Sequence, residues 1–168
     1  NRKNKSGGQL RGVYLYCEFV SIGICATLMD LKNLPVDKLY ILYDGHCLLC
    51  NRWVQFLLQH DPQDHFRFIS QQSSLGELVL QHIGYSTLSI DSIVVYQPNL
   101  AYYVKSEAVF RICQKGDYVL KLVLGFQVFP KPLLDYIYQI VAKKRYEWFG
   151  KLQACPLPHP SCSHKFLG

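Results

Sequence analysis

Between residues 39 and 69 the chain alternates a strand, a helix and a strand, and the gaps between them are too short for any other connection. Leu39-Tyr40-Ile41-Leu42-Tyr43 is an apolar run of β-forming residues that stops at Asp44-Gly45. Leu49, Trp53, Phe56 and Leu57 then recur at i, i+4, i+7 and i+8, one face of a helix running from Leu48 to His60 and closed by Pro62. Phe66-Arg67-Phe68-Ile69 resumes the extended pattern. Two strands joined by one helix lie parallel with a right-handed crossover, so the chain is committed to an α/β sheet.

The rest of the punctuation extends that sheet. Ser73-Ser74 opens a second helix through Leu75, Leu78, Val79 and His82, with Glu77 as capping-box partner and Gly84 as its end. Ser92 to Tyr96 reads as a third strand and Ala101 to Val104 as a fourth, and Gln97-Pro98-Asn99 between them makes an antiparallel hairpin. A helix from Ser106 to Lys115, capped by Ser106 and stopped by Gly116, precedes an apolar helical region broken at Pro130. Tyr136, Tyr138, Tyr146, Trp148 and Phe149 read there as core packing at helical spacing. The expected fold class is α/β: a thioredoxin-like three-layer sandwich with a mixed four-stranded sheet and additional C-terminal helices.

A length of 168 residues suits one domain. Nearly half the residues are hydrophobic and 18% are charged, which excludes a disordered chain. Residues 1–28 differ from the remainder, with Arg2, Lys3, Lys5 and Arg11 ahead of an apolar stretch that Glu18 interrupts. They read either as an upstream translated extension or as a targeting segment, because Met29 offers a plausible start just before the first strand. Without their four positive charges and one negative the net charge falls from +6 to +3, too weak a balance to imply nucleic acid. The apolar stretch is also short for a membrane span. The expected organisation is residues 1–28 as an extension, 29–152 as the domain, and 153–168 as an irregular tail containing Pro156, Pro158 and Pro160.

Cysteine usage points to the chemistry. The seven cysteines are odd in number and unevenly spaced, which argues against a disulfide framework, and only Cys47 and Cys50 stand at a C-x-x-C spacing. Cys113, within a helix, reads as a small buried hydrophobe. The scattered thiols suit a reducing cytoplasm. Cys47 falls where a strand hands over to a helix, so its sulfur faces unpaired backbone N–H groups and the positive end of the helix dipole. Cys50 lies one turn on, within disulfide reach. The expectation is an exposed Cys47 nucleophile and a more deeply buried Cys50 that resolves the mixed disulfide. Asp44 is either the base that takes the Cys50 proton or a plain turn and cap residue, and His46 either adds positive charge or is a bystander. No organic cofactor is needed, and the partner is a disulfide or thiol on a protein or small molecule.

Tyr43-Asp44-Gly45-His46-Cys47-Leu48-Leu49-Cys50-Asn51 resembles the DCC family of predicted thiol-disulfide oxidoreductases, named for the D-x-x-C-x-x-C arrangement carried here by Asp44, Cys47 and Cys50. The resemblance continues through FRFISQQS, DSIVVY, KSEAVFRI and AKKRYEWFGK, over about residues 39 to 158. It implies a thioredoxin-like fold and a redox-active Cys47–Cys50 pair, and it draws attention to Arg145 as a cation able to approach the thiolate. One departure from thioredoxins proper is that Asp91-Ser92 stands where they carry a cis-proline, leaving Ser92 as a hydrogen-bonding substitute. Two other readings stay open: a zinc site joining Cys47 and Cys50 to Cys155, Cys162, His159 or His164, and a non-catalytic interaction module. Covalent haem attachment is excluded, because position 51 is Asn where that motif requires His.

Overall fold

The computed structural model describes residues 34–85, 92–153 and 160–168. Strand β1 (Leu39–Tyr43) is buried along its whole length, as a continuous apolar run demands of a central strand. It pairs in parallel with β2 (Phe66–Ser70), Leu39 opposite Phe66, and antiparallel with β3 (Val94–Gln97), Ile41 opposite Val95. Strand β4 (Ala101–Val104) returns beside β3 as the expected hairpin. The mixed α/β architecture thus matches the thioredoxin-like expectation.

The sheet has five strands in the order β4-β3-β1-β2-β5, one more than expected. The extra strand, β5 (Phe166–Leu167), comes from the segment expected to be irregular, and it pairs in parallel with β2. Two residues are too few to show a hydrophobic period, so the strand is set by its anchors. Lys165 donates to Asp61 at 2.7 Å, and the Phe166 ring lies 5.4 Å from that of Phe68. The same Asp61 accepts the His65 and Phe66 N–H groups at the entrance to β2, so one carboxylate ties both strand starts together. Residues Pro35–Gly168 form one compact unit that includes this strand.

Helices α1 (Leu48–Gln59) and α3 (Lys105–Lys115) cover the face of the sheet presented by Leu39, Ile41, Phe66, Phe68 and Val95, and the main core lies between them. Helix α2 (Ser74–His82) packs on the other face; its cap is Ser73, whose hydroxyl accepts the Gly76 N–H at 3.1 Å. At Gly76 this helix approaches β2 so closely that a Cβ would sit 2.0 Å from the Ser70 carbonyl oxygen. The α3 start falls one residue before the expected cap, and Ser106 instead donates its hydroxyl to Asp135. A short α4 (Tyr118–Leu122), capped by Asp117, and a 3-10 turn lead into the long α5 (Lys131–Phe149).

Helix α5 corrects the core-packing expectation for its aromatic residues. Tyr136, Trp148 and Phe149 are solvent-exposed, and the buried residue of this helix is Arg145. Amphipathic spacing specified a face, but the face turned to the protein is the one carrying Tyr138, Val141, Ala142 and Arg145. Residues 1–28, Cys155 and His159 lie outside the described residues. Among the described residues no helix is long and apolar enough to cross a membrane.

Candidate active site

Strand β1 delivers Asp44 and a tight turn, and α1 begins immediately after it. Cys47 is the N-cap of α1, one residue earlier than a first-turn position, with extended backbone angles of φ −89° and ψ 117°. An N-cap side chain ordinarily uses oxygen to accept an orphan N–H. Here sulfur does so, accepting the Cys50 N–H at 3.3 Å. Asn51 clamps the loop from inside the helix, its Nδ2 donating to the carbonyls of Gly45 and Cys47 at 2.9 Å each. No disulfide joins the two cysteines in this structure.

The two sulfurs titrate very differently. The Cys47 thiol is brought down to about 6, first by a hydrogen bond from the Cys50 thiol; burial opposes this, and the Cys50 N–H and the Arg145 charge add to it. At pH 7 a group at that value is ~90% thiolate, against ~3% for an ordinary cysteine. Cys50 is pushed far above its usual range, first by donating to Cys47 and then by burial and the neighbouring thiolate. One proton is therefore shared unequally, with the negative charge on the helix cap.

Exposure runs opposite to the expectation of an exposed Cys47 and a protected Cys50. Cys47 has 0% of its surface accessible, whereas Cys50 is half-buried and lines an apolar groove of about 280 Å³. The reason lies at the end of α5. Gly150 breaks the helix with φ +93°, and residues 150–152 then run back along the Cys47 loop. Lys151 bridges Cys47 in antiparallel fashion, and the Leu152 N–H donates to the His46 carbonyl at 2.7 Å. The groove beside Cys50 is walled by Trp53, Ile93, Tyr138, Val141 and Arg145.

Beneath the loop sits a buried ionic cluster. Arg145 donates to Asp44 Oδ2 at 2.8 Å, with both side chains under 10% exposed. The Tyr146 hydroxyl donates to the same oxygen, and the Arg145 guanidinium lies 4.9 Å from the Tyr146 ring centre. Asp44 Oδ1 accepts the His46 N–H and the Gln72 Nε2–H, each at 3.0 Å. Burial alone would raise the Asp44 carboxyl, but the hydrogen bonds from Tyr146 and His46 and the Arg145 charge outweigh it and hold it below the usual range. Arg145 stays protonated despite its own burial, supported by Tyr146, Cys50 and Asp44.

His46 takes part through its backbone, as donor to Asp44 and acceptor from Leu152. Ser92 joins through its carbonyl, which accepts from Gln71 Nε2 at 2.9 Å, and the next N–H, of Ile93, donates to the Tyr138 hydroxyl at 2.8 Å. Cys113 is fully buried, and burial pushes its thiol up to about 11. Among the described residues no three His, Cys, Asp or Glu side chains gather as a metal site, and Cys162 and His164 lie in the 3-10 helix ahead of β5.

A family model for DCC1-like thiol-disulfide oxidoreductases matches residues 41–151, from within β1 to the residue that bridges Cys47. The chain belongs to that family. It is 39% identical over 127 residues to the uncharacterised protein YuxK of Bacillus subtilis (strain 168), covering 76% of this chain and 92% of YuxK. It is 36% identical over 118 residues to a DCC family protein of Arabidopsis thaliana described as chloroplastic, covering 70% of this chain and 68% of that protein. No solved structure matches.

Within this DCC1-like domain, sequence reasoning missed Gln71, Gln72, Tyr146 and the 150–152 strap. Gln71 and Gln72 follow β2 in the quoted FRFISQQS segment, and a pair of amides just past the C-terminal end of a central strand was a usable signal. Tyr146 directly follows Arg145, but its place in an aromatic stripe gives no sign that its hydroxyl meets Asp44.

Proposed function

We propose that this DCC1-like protein carries out dithiol–disulfide exchange through Cys47 and Cys50, with no organic cofactor. The observation that carries this reading is the Cys47 sulfur acting as helix cap, hydrogen-bonded to Cys50 and close to the buried Arg145 charge. The Cys47 thiolate attacks one sulfur of a substrate disulfide R–S–S–R′, forming a Cys47–S–S–R bond and releasing R′–S⁻. Cys50 then gives its proton to solvent, and its thiolate attacks the Cys47 sulfur. The Cys47–Cys50 disulfide forms and R–S⁻ leaves, so the substrate gains two electrons and the pair loses two.

Asp44 does not serve as the Cys50 base in this reading. Its oxygens are occupied by four donors and its carboxyl is held ionised. Cys50 also needs no dedicated base. Four influences raise its thiol, and two of them, the hydrogen bond to Cys47 and the charge on Cys47, vanish once Cys47 is in a mixed disulfide, leaving burial and the more weakly acting Asp44 charge. Arg145 remains and lowers it. The resolving thiol is therefore activated by the first step, and Asp44 is a positioning residue for Arg145.

The test is reduction of a disulfide-linked peptide, coupled to a dithiol reductant, by the parent, Cys47→Ser and Cys50→Ser proteins. Cys47→Ser should be inactive, and Cys50→Ser should accumulate a peptide adduct on Cys47, read by intact mass. Undiminished turnover in Cys47→Ser refutes the assignment. Tolerance of both substitutions would instead favour an interaction module, and stoichiometric metal with loss of structure on chelation would favour a zinc site.

A further inference from the structure

In the structure the thiolate of Cys47 has no route to a visiting disulfide, while the poorly ionised Cys50 faces a groove. Either substrate meets Cys50 first, or the chain segment laid along Cys47 moves aside. Magnitudes separate the two. Attack by Cys50 requires its thiolate, which an ordinary cysteine already supplies only to about one part in thirty at pH 7. The neighbouring Cys47 thiolate makes that form rarer still. The strap, by contrast, is held among the described residues by weak contacts: the Leu152 N–H on the His46 carbonyl at 2.7 Å, the Leu48 N–H on the Gly150 carbonyl at 3.5 Å, and the solvent-exposed Lys151 ammonium 5.6 Å from the Tyr146 ring centre. Each such bond biases a closed state by roughly 2- to 12-fold. Lys151 between them is exposed and Leu152 only half-buried, so little apolar contact resists opening.

The strap also shows what can replace it. It lies antiparallel to Cys47 as a short strand, taking one carbonyl and one N–H from the loop that carries the nucleophile. We propose, building on the exchange reaction above, that the substrate is a disulfide-bonded polypeptide whose cysteine-bearing segment binds as an extended strand on the His46–Leu48 backbone, in the place the 150–152 strap occupies. Main-chain pairing of this kind is the recognition mode of an extended peptide, and it does not depend on side-chain identity. The single Gly150 at φ +93° is the pivot, since it ends α5 and turns the strap onto the loop.

The test uses the full chain and two readouts independent of turnover. Leu152→Pro removes the N–H that holds the strap, and Gly150→Ala strains the pivot should the proline variant fail to fold. Alkylation of Cys47 by iodoacetamide at pH 7 should quicken by about tenfold when the stronger bond is lost. In Cys50→Ser carrying a disulfide-linked peptide on Cys47, hydrogen exchange should show the Leu152 amide deprotected and the Leu48 amide still protected. The same protein carrying a hydroxyethyl disulfide adduct should leave Leu48 unprotected. Unchanged alkylation in a folded strap variant overturns the proposal, and so does a peptide adduct that leaves Leu152 as protected as in the free protein. Inactivity of the parent toward every disulfide would instead overturn the exchange reaction itself.

Discussion

Replacing Asp44 with asparagine removes one charge from the buried cluster at nearly constant shape, and its consequences separate a positioning role from an acid–base role. Asparagine keeps an acceptor for the His46 N–H and the Gln72 amide but turns an NH2 group toward Arg145 and Tyr146, where the carboxylate accepted both. Arg145, 7% exposed at its side chain, is left buried beside another donor. Breaking one side of a buried pair costs about 3–5 kcal/mol. For a chain of this size that is a fall in Tm of about 10–15 °C, at roughly 3 °C per kcal/mol. The thiolate responds in a defined direction as well. The Asp44 charge raises the Cys47 thiol, so its loss should move the alkylation midpoint below about 6. Thermal unfolding followed by circular dichroism and the pH dependence of iodoacetamide reaction measure both. A Tm loss under about 3 °C, or a midpoint that rises, refutes this account. A base role for Asp44 predicts something else: unchanged stability, an unchanged midpoint, and slow release of the adduct from Cys47. The double variant Asp44→Asn/Arg145→Met should lose less stability than the two single changes added together, because it leaves no charge behind.

Other consequences can be checked alongside it. Cys50→Ala removes the thiol hydrogen bond that contributes most to the low Cys47 value, so the alkylation midpoint should climb from about 6 toward the ordinary cysteine range. Cys50→Ser keeps a donor and should climb less; equal midpoints in parent and alanine variant would count against the hydrogen bond. On acidification the sign follows from Asp44 being held below its unfolded value: its contribution to stability is complete above about pH 4 and is lost as pH falls through the folded value. Urea midpoints measured from pH 7 to 2 should decline in the parent, and the decline should be shallower in Asp44→Asn. Gly76→Ala must push α2 away from the Ser70 carbonyl, and overpacking at such a close approach costs about 1–3 kcal/mol, readable as a lowered urea midpoint.

The strand–helix–strand opening of the domain was legible because each piece has a clean period and clean punctuation. Leu39–Tyr43, the Leu49–Leu57 face and the Gly84 stop all stand where the patterns put them. The hairpin was legible from its three-residue gap. What stayed hidden depended on contacts distant in sequence. Phe166–Leu167 carries no period of its own and is a strand only because Lys165 reaches Asp61, more than a hundred residues away. Helix α5 has apolar residues on several sides, so its pattern could not say which side meets the domain. The placement of Cys47 and Cys50 at a helix start was readable from the turn at Asp44-Gly45, but their exposure was not. That reversal arises from a backbone segment a hundred residues downstream, whose hydrogen bonds leave no mark on side-chain type.

Under the exchange reaction proposed above, the pairing of Arg145 with Asp44 has a rationale in what such a redox pair would do to local charge. In the dithiol state the cap carries about one negative charge at neutral pH, and in the disulfide state it carries none. A buried arginine matched only by the thiolate would be orphaned on each oxidation, and an unpaired buried ion costs several kcal/mol. That cost would drive the pair so strongly toward the reduced form that it could not cycle. With Asp44 as permanent partner, the cation is satisfied in both states and offers the thiolate only the residual of its field. The Tyr146, His46 and Gln72 donors do for Asp44 what Asp44 does for Arg145, each holding its neighbour in place whether or not Cys47 is ionised. Held in this way, the cluster would let the proposed sulfur chemistry above it change charge without unfolding what lies beneath.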